Sequence, residues 1–161
     1  MDPFSQAPPR RTIYATTPSP VFLIVVAAFG IGTWLCLSGL NDHLAVFVFV
    51  LAGWVMSLIL HEFAHAFTAW RGGDYTIPSK GYLTLDPRLY TDWVTSIVLP
   101  LVFVIMGGIG LPGGAVWINQ GAIANRRTRS LVSLAGPAAN VVMGVLCLSP
   151  FWLGLIDRQN A

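Results

Sequence analysis

Charged residues are scarce in this chain. Of its 161 residues only 10% are Asp, Glu, Lys or Arg, whereas 55% are hydrophobic. A soluble domain of this length would carry about 25% charged residues, so the composition predicts an integral membrane protein. The formal net charge is only +2, which is too small to indicate a nucleic-acid partner.

Cysteine is scarce as well, since Cys36 and Cys147 are the two in the chain. Both fall inside apolar runs. Two thiols in such positions are typical of packing residues, and they exclude the disulfide framework of a small secreted domain.

Long apolar runs dominate the rest of the sequence. Residues 1–20 are polar and hold five of the eleven prolines, so we expect a flexible cytoplasmic tail there and a transmembrane domain over residues 21–161. Runs long enough to span a bilayer occur at Val21–Leu40, Leu44–Trp70 and Ser130–Leu153. The predicted fold class is an all-α polytopic membrane protein with three to four transmembrane helices.

A fourth apolar run, Val94–Ile118, is broken by Gly107-Gly108 and by Leu111-Pro112-Gly113-Gly114. Irregular backbone is tolerated at membrane depth only where protein or a watery cavity surrounds it. We therefore expect a re-entrant hairpin over residues 94–120, and a full crossing is the alternative.

Two short segments, Tyr82–Leu85 and Ala115–Ile118, have the composition of β-strands. An exposed strand edge would let an unwound substrate segment bind by strand addition. Ordinary loop structure is the alternative for both.

The basic residues predict how the spans are oriented, because cytoplasmic loops carry an excess of Lys and Arg. The turn at residues 41–43 has none and is expected outside. We expect a multi-pass protein of the plasma membrane with a cytoplasmic N-terminus, and the last basic cluster is expected to meet anionic lipid headgroups. The residues assigned to the cytoplasmic side are Arg10, Arg11, Arg71, Lys80, Arg88, Arg126, Arg127 and Arg129.

One charged motif interrupts the second span, His61-Glu62-Phe63-Ala64-His65. Residues four apart share a face of a helix, so both imidazoles can bind one Zn²⁺, and Glu62 can take a proton from a metal-bound water. A charged group in the middle of a span costs roughly 2.5–3.5 kcal/mol on insertion scales and rarely persists without a function. The alternative is a pair of histidines that hydrogen-bond between helices beside a protonated glutamate.

The last span carries a second polar feature, Gly136-Pro137-Ala138-Ala139-Asn140. The histidine motif lies roughly 9–15 Å below the level of Arg71, and Asn140 lies roughly 16 Å below that of Arg129, at ~1.5 Å per residue. The two features therefore share a depth, as one buried site requires. The alternative is a small-residue packing face with a single hydrogen-bonding amide.

Together these motifs resemble the site-2 protease family of intramembrane zinc metalloproteases, and most closely its small bacterial branch without a PDZ domain. The resemblance covers residues 44–150 and rests on the HExxH motif, Gly73-Asp74, the Leu-Thr-Leu-Asp-Pro segment at 83–87 and the Gly-Pro-x-x-Asn motif. It implies that His61 and His65 bind one Zn²⁺. It also implies that Glu62 is the general base that later protonates the leaving amine, and that Asn140 orients the substrate or stabilises the oxyanion.

The implied function is hydrolysis of peptide bonds in membrane-embedded protein substrates, within the lipid bilayer and near its cytoplasmic face. The sequence does not predict an oligomeric state. In this family the third zinc ligand is an aspartate in an Asp-Gly pair, and no Asp-Gly pair occurs in this chain. Asp157 falls at the opposite membrane face, so we expect a C-terminally incomplete protease without a third metal ligand of its own.

Two other functions stay open at this point. The missing aspartate favours a non-catalytic pseudoprotease that binds transmembrane helices without cutting them. A metal transporter that uses His61 and His65 as a transit site is a further alternative, but it gives no reason for the motif around Asn140.

Overall fold

The structure, a computed structural model, describes residues 18–38, 43–89, 98–107, 116–123 and 125–153. Nearly all of the predicted tail at residues 1–20 lies outside this part of the chain, and so does Asp157. The described residues are helical and contain no strand. Within these ranges the α-helices are α1 (Pro20–Leu37), α2 (His43–Arg71), α3 (Leu99–Ile105) and α4 (Arg126–Trp152), and single 3₁₀ turns occur at Pro78–Lys80, Pro87–Leu89 and Gln120–Ala122.

Three of these helices, α1, α2 and α4, are long and apolar enough to cross a membrane. They coincide with the three predicted spans. The remaining helix, α3, has seven residues and rises about 10 Å, whereas the hydrocarbon core is about 30 Å thick. The predicted re-entrant hairpin stays a prediction, because residues 90–97 and 108–115 lie outside the described part of the chain.

The start of α1 is defined by its first residues. Pro20 occupies the first turn, where its missing N–H is not needed, and the Ser19 hydroxyl accepts a hydrogen bond from the Phe22 amide at 3.1 Å. Further along, Gly32 brings α1 against the backbone of α2 at Phe49, and Phe29 stacks on Phe49 with ring centroids 5.2 Å apart. A small residue thus allows the close approach that membrane helices use for packing.

Helix α4 packs against the second half of α2. The contact again depends on glycine, because a Cβ at Gly136 would overlap the imidazoles of His61 and His65. The two histidines of the motif therefore face α4.

A small hydrophobic core closes one end of the helices. There the end of α2 and the start of α4 pack on the turns between them, and two isoleucines from those turns, Ile77 and Ile123, are fully buried. Each fully buried isoleucine contributes roughly 1.5–3 kcal/mol relative to exposure. The members of this core are Ala66, Ala69, Ile77, Tyr82, Leu83, Ile123 and Val132.

The same end also receives the start of α1. The Ser19 amide donates to the Thr84 carbonyl at 2.8 Å, and the Thr128 side chain of α4 adjoins Gly72 at the end of α2. We call this end, made by residues 72–89, 116–123 and 125, the loop end. The start of α1, the end of α2 and the start of α4 therefore lie together.

The strand expected at Tyr82–Leu85 is wrong, because these residues form turns. Gly81 and Leu85 have φ of 74° and 57°, and the Thr84 amide donates to the Gly81 carbonyl at 3.1 Å. Left-handed residues at both ends reverse the chain, whereas a strand must extend it. Of the other expected segment, Val116–Ile118 has no regular secondary structure, and Ala115 lies outside the described residues.

Candidate metal centre

The two histidines of α2 converge at their ring nitrogens. His61 Nε2 lies 3.1 Å from His65 Nε2, and the rings meet edge to face with centroids 4.7 Å apart. One turn of helix separates the two residues, so the convergence follows from their spacing in the sequence.

The orientation of His65 is set by α4. Its Nδ1 lies 2.6 Å from the Val132 carbonyl oxygen. A carbonyl can only accept, so Nδ1 carries the proton and, in the neutral ring, the Nε2 lone pair points towards His61. A histidine that binds metal usually donates its other ring N–H in this way.

Glu62 is buried beside the histidines, with 4% of its surface exposed. One carboxylate oxygen, Oε2, accepts a hydrogen bond from the Val116 amide at 3.1 Å. A buried carboxylate needs such a partner because its desolvation is otherwise uncompensated. The partner comes from residues 116–119, which we call the return segment because it leads the chain back to the start of α4.

Asn140 reaches the same site from α4. Its Oδ1 accepts a hydrogen bond from the Ser57 hydroxyl at 3.1 Å, and its amide and the Gly136 backbone are polar neighbours of His61. The depth comparison made from the sequence thus predicted the proximity of Asn140 to the motif. Its role towards a substrate stays a prediction.

The donor set fits a zinc ion bound by two histidines. Tetrahedral zinc with Zn–N bonds of 2.0–2.1 Å places two nitrogens roughly 3.3 Å apart, which is close to the 3.1 Å between the two Nε2 atoms. The other ring nitrogen of His61, Nδ1, is buried and has no hydrogen-bond partner among the described residues. Within that part of the chain no group of three or more His, Cys, Asp or Glu side chains is placed to hold a metal ion together, so the third ligand is not assigned.

Two groups at this site could not have been predicted from any sequence motif. The Val132 carbonyl and the Val116 amide are backbone groups, which every residue carries. Gly136 did have a signal, since it begins the Gly-Pro-x-x-Asn motif, but only packing shows that two imidazoles occupy the space of its missing side chain.

Curated proteins similar to this chain carry names that agree with this geometry. A protein of Mycolicibacterium smegmatis named "Putative zinc metalloprotease Rip2" is 48% identical over 143 residues, which are 84% of this chain and 55% of the relative. Its namesake in Mycobacterium tuberculosis is 47% identical over 137 residues, 82% of this chain and 52% of the relative. "Putative zinc metalloprotease YwhC" of Bacillus subtilis is 30% identical over 93 residues, 57% of this chain and 40% of the relative.

These relatives are members of the site-2 protease family, and this chain is similar to the two mycobacterial ones over more than four fifths of its length. The resemblance found in the sequence motifs is thereby confirmed. The chain spans about half the length of the curated relatives it matches. No model of a protein family matches it. No solved structure matches it.

Proposed function

We propose that this chain carries the zinc-binding and proton-transfer part of an intramembrane metalloprotease. The observation that supports the proposal most directly is the convergence of the His61 and His65 Nε2 atoms, 3.1 Å apart, beside the buried carboxylate of Glu62. The zinc named in the relatives is consistent with this donor set.

In this proposal His61 and His65 hold one Zn²⁺, which when bound polarises the scissile carbonyl and makes water more acidic. Glu62 takes the proton of the attacking water and later gives it to the leaving amine. The Val116 amide keeps the Glu62 carboxylate oriented between these two transfers. Asn140 donates from its amide to the substrate carbonyl or to the oxyanion that forms from it.

The substrate in this proposal is a membrane-embedded protein segment that reaches the site near the cytoplasmic face. The histidine motif lies in the last third of α2, closer to the loop end than to the start of that helix. The loop end carries Lys80 and Arg88, and it is flanked by Arg71 of α2 and the arginines at the start of α4; this charge supports a cytoplasmic location. Leu89 and Val116 both lie at the loop end, which supports a re-entrant hairpin between them rather than a crossing.

The test measures both the zinc content and the cleavage activity of the same variants. We expect about one Zn²⁺ per purified chain in detergent, lost when His61→Ala and His65→Ala are combined. Glu62→Gln should keep the zinc and lower cleavage of a transmembrane peptide substrate by about 10²–10⁴-fold, as expected for a lost general base. Cleavage is measured with this chain and with a chimera in which its residues replace the matched part of the M. smegmatis relative.

Asp86→Asn is the matched control, because it also turns a buried carboxylate into an amide, but the hydrogen bonds of that carboxylate go to Arg88 in its own turn. A chimera that binds zinc and its substrate without cleaving it would identify a non-catalytic, helix-binding protein. Zinc flux into vesicles without cleavage would identify a transporter. Full turnover in Glu62→Gln would remove that residue from its role as base.

A further inference from the structure

Asp74 is a fully buried carboxylate outside the metal centre. It follows Gly73, whose φ of 115° suits glycine and whose missing side chain leaves room for the Ala122 carbonyl. The turn places the Asp74 side chain between the end of α2 and the return segment. A buried aspartate is uncommon unless its oxygens are well paired.

Both oxygens of Asp74 are paired, but with different parts of the chain. Oδ1 accepts from the Thr76 amide at 3.1 Å and from the Thr76 hydroxyl at 2.7 Å. These local bonds are those of an ordinary Asx turn. Oδ2 accepts from the Asn119 amide at 2.7 Å, across 45 positions in the sequence, and a turn does not require this second bond.

The return segment is held at three points. Its Val116 amide donates to Glu62, its Trp117 carbonyl accepts from Lys80 Nζ at 2.7 Å, and its Asn119 amide donates to Asp74. Two of these partners, Asp74 and Lys80, lie in the turns that follow α2. Hydrogen bonds to charged groups contribute more than neutral ones, so these two side chains attach the segment to the turns more firmly than neutral partners would.

We propose that Asp74 and Lys80 are positioning residues that clamp the return segment, so that the Val116 amide reaches Glu62. The inference deepens the proposed function, and its catalytic consequence rests on Glu62 being the base. The clamp itself concerns only how well the backbone of the return segment is ordered. It can therefore be tested without cleavage.

Amide hydrogen exchange of the 161-residue chain in detergent, read by mass spectrometry, provides that test. Asp74→Asn puts an NH₂ group where one oxygen was, so either the Asn119 amide or the Thr76 donors face another donor. We expect exchange across residues 116–119 to become about tenfold faster or more, while α4 residues 130–140 keep their rate. Lys80→Met should accelerate the same residues to a smaller degree, and Lys80→Arg, which keeps a donor for the Trp117 carbonyl, should restore the rate.

Asp86→Asn is again the matched control, because the bonds of Asp86 go to Arg88 within its own turn. It should leave the exchange of the return segment unchanged. An unchanged rate in Asp74→Asn would overturn the proposal, and so would an acceleration that extends equally through α4, since that reports general loosening. If Asp74→Asn does not fold, Lys80→Met decides: acceleration confined to the return segment supports the clamp, and none rejects it.

A kinetic measurement separates this proposal from the proposed function. In the zinc-loaded, cleaving chimera, Asp74→Asn should lower kcat about tenfold or more, with KM and zinc content unchanged, because the base is displaced while ligands stay in place. Loss of zinc would contradict a positioning role. If the unaltered protein cleaves nothing, the proposed function fails, whereas the exchange result still decides whether the clamp exists.

Discussion

At the scale of single residues, the missing side chain of Gly136 has the largest consequence for the site. It lets the α4 backbone touch both imidazoles, since an added Cβ would lie 2.5 Å from His61 Nε2 and closer still to His65 Nε2. A contact below 3.0 Å forces one partner to move. The imidazoles can move only by giving up the convergence of their nitrogens.

Gly136→Ala should therefore weaken zinc binding by on the order of 10–100-fold, as changes beside metal ligands commonly do. Competition with a chromophoric chelator measures this affinity. Gly144→Ala on the same helix is the control, because nothing lies within 4 Å of its Cβ position. Equal zinc affinity in the two variants would contradict the close contact between α4 and the histidines.

Asp86 makes the stability of the fold depend on pH. The Arg88 guanidinium, which donates to both oxygens of Asp86, lowers the pKa of that carboxyl, and this outweighs the opposite effect of burial. A carboxyl with a lowered folded-state pKa stabilises the fold above its unfolded pKa of about 3.9, and the contribution is lost as pH falls through the folded-state value.

We expect thermal stability of the chain to fall below about pH 4, partly through Asp86. Asp86→Asn should reduce the slope of stability against pH in that range, measured as Tm in detergent at a series of pH values. The control is Arg88→Met, which removes the partner and should reduce the slope in the same way. An unchanged acid slope in both variants would show that the pair does not contribute.

At the scale of helices, close approach is decided by where small residues face a neighbour. Gly30 and Gly32 lie on the same helix, but only Gly32 meets α2. A Cβ there would lie 2.9 Å from the Phe49 backbone, whereas nothing lies within 4 Å of Gly30.

Gly32→Ala should destabilise the packing of α1 on α2 by about 1–3 kcal/mol, because backbone cannot move aside as a flexible side chain does. Gly30→Ala should be neutral or stabilising by up to about 1 kcal/mol, since alanine is the better helix former. Thermal unfolding of the two variants side by side checks the difference. A lower Tm for Gly30→Ala than for Gly32→Ala would contradict this helix pairing.

The loop end shows why the strand expected at Tyr82–Leu85 was wrong. The composition of this segment favours a strand, but Tyr82 and Leu83 are adjacent in sequence and both buried in the same core. Adjacent residues of a strand point to opposite faces. The turn brings both side chains inward, and the pairing of Ser19 with the Thr84 carbonyl then attaches α1 to it.

At the scale of the whole molecule, the testable feature is which helix ends lie together on one side of the membrane. The start of α1, the end of α2 and the start of α4 meet at the loop end, and the start of α2 lies at the other end of a helix of 29 residues. Such a helix is about 43 Å long, which exceeds the hydrocarbon thickness of about 30 Å.

Single cysteines in place of Tyr75 and Arg127, both exposed, should react with a membrane-impermeant maleimide from one side only, and that side should be the cytoplasm. A cysteine in place of exposed His43 should react from the opposite side. The background is the chain with Cys36 and Cys147 replaced by alanine, in cells and inverted vesicles. Reaction of positions 75 and 127 from opposite sides would contradict both the shared end and the re-entrant hairpin.

The membrane class, the three spans and the pair of histidines with their glutamate could be predicted from the amino-acid sequence alone. A helix that spans a bilayer is recognised from the length and apolar composition of its sequence. Two side chains four residues apart lie on one face of a helix whatever the rest of the fold is. The two mycobacterial relatives confirm the family that those motifs indicated.

The backbone groups that complete the site could not be predicted from the sequence, because they are brought together by the packing of the helices and turns. The Val116 amide on Glu62, the Val132 carbonyl on His65 and the bond between Asp74 and Asn119 join residues 45 or more positions apart. Every residue offers an amide and a carbonyl, so no pattern marks the ones that are used. They are selected when the core around Ile77 and Ile123 packs, because that packing brings the return segment and α4 within hydrogen-bonding distance of α2.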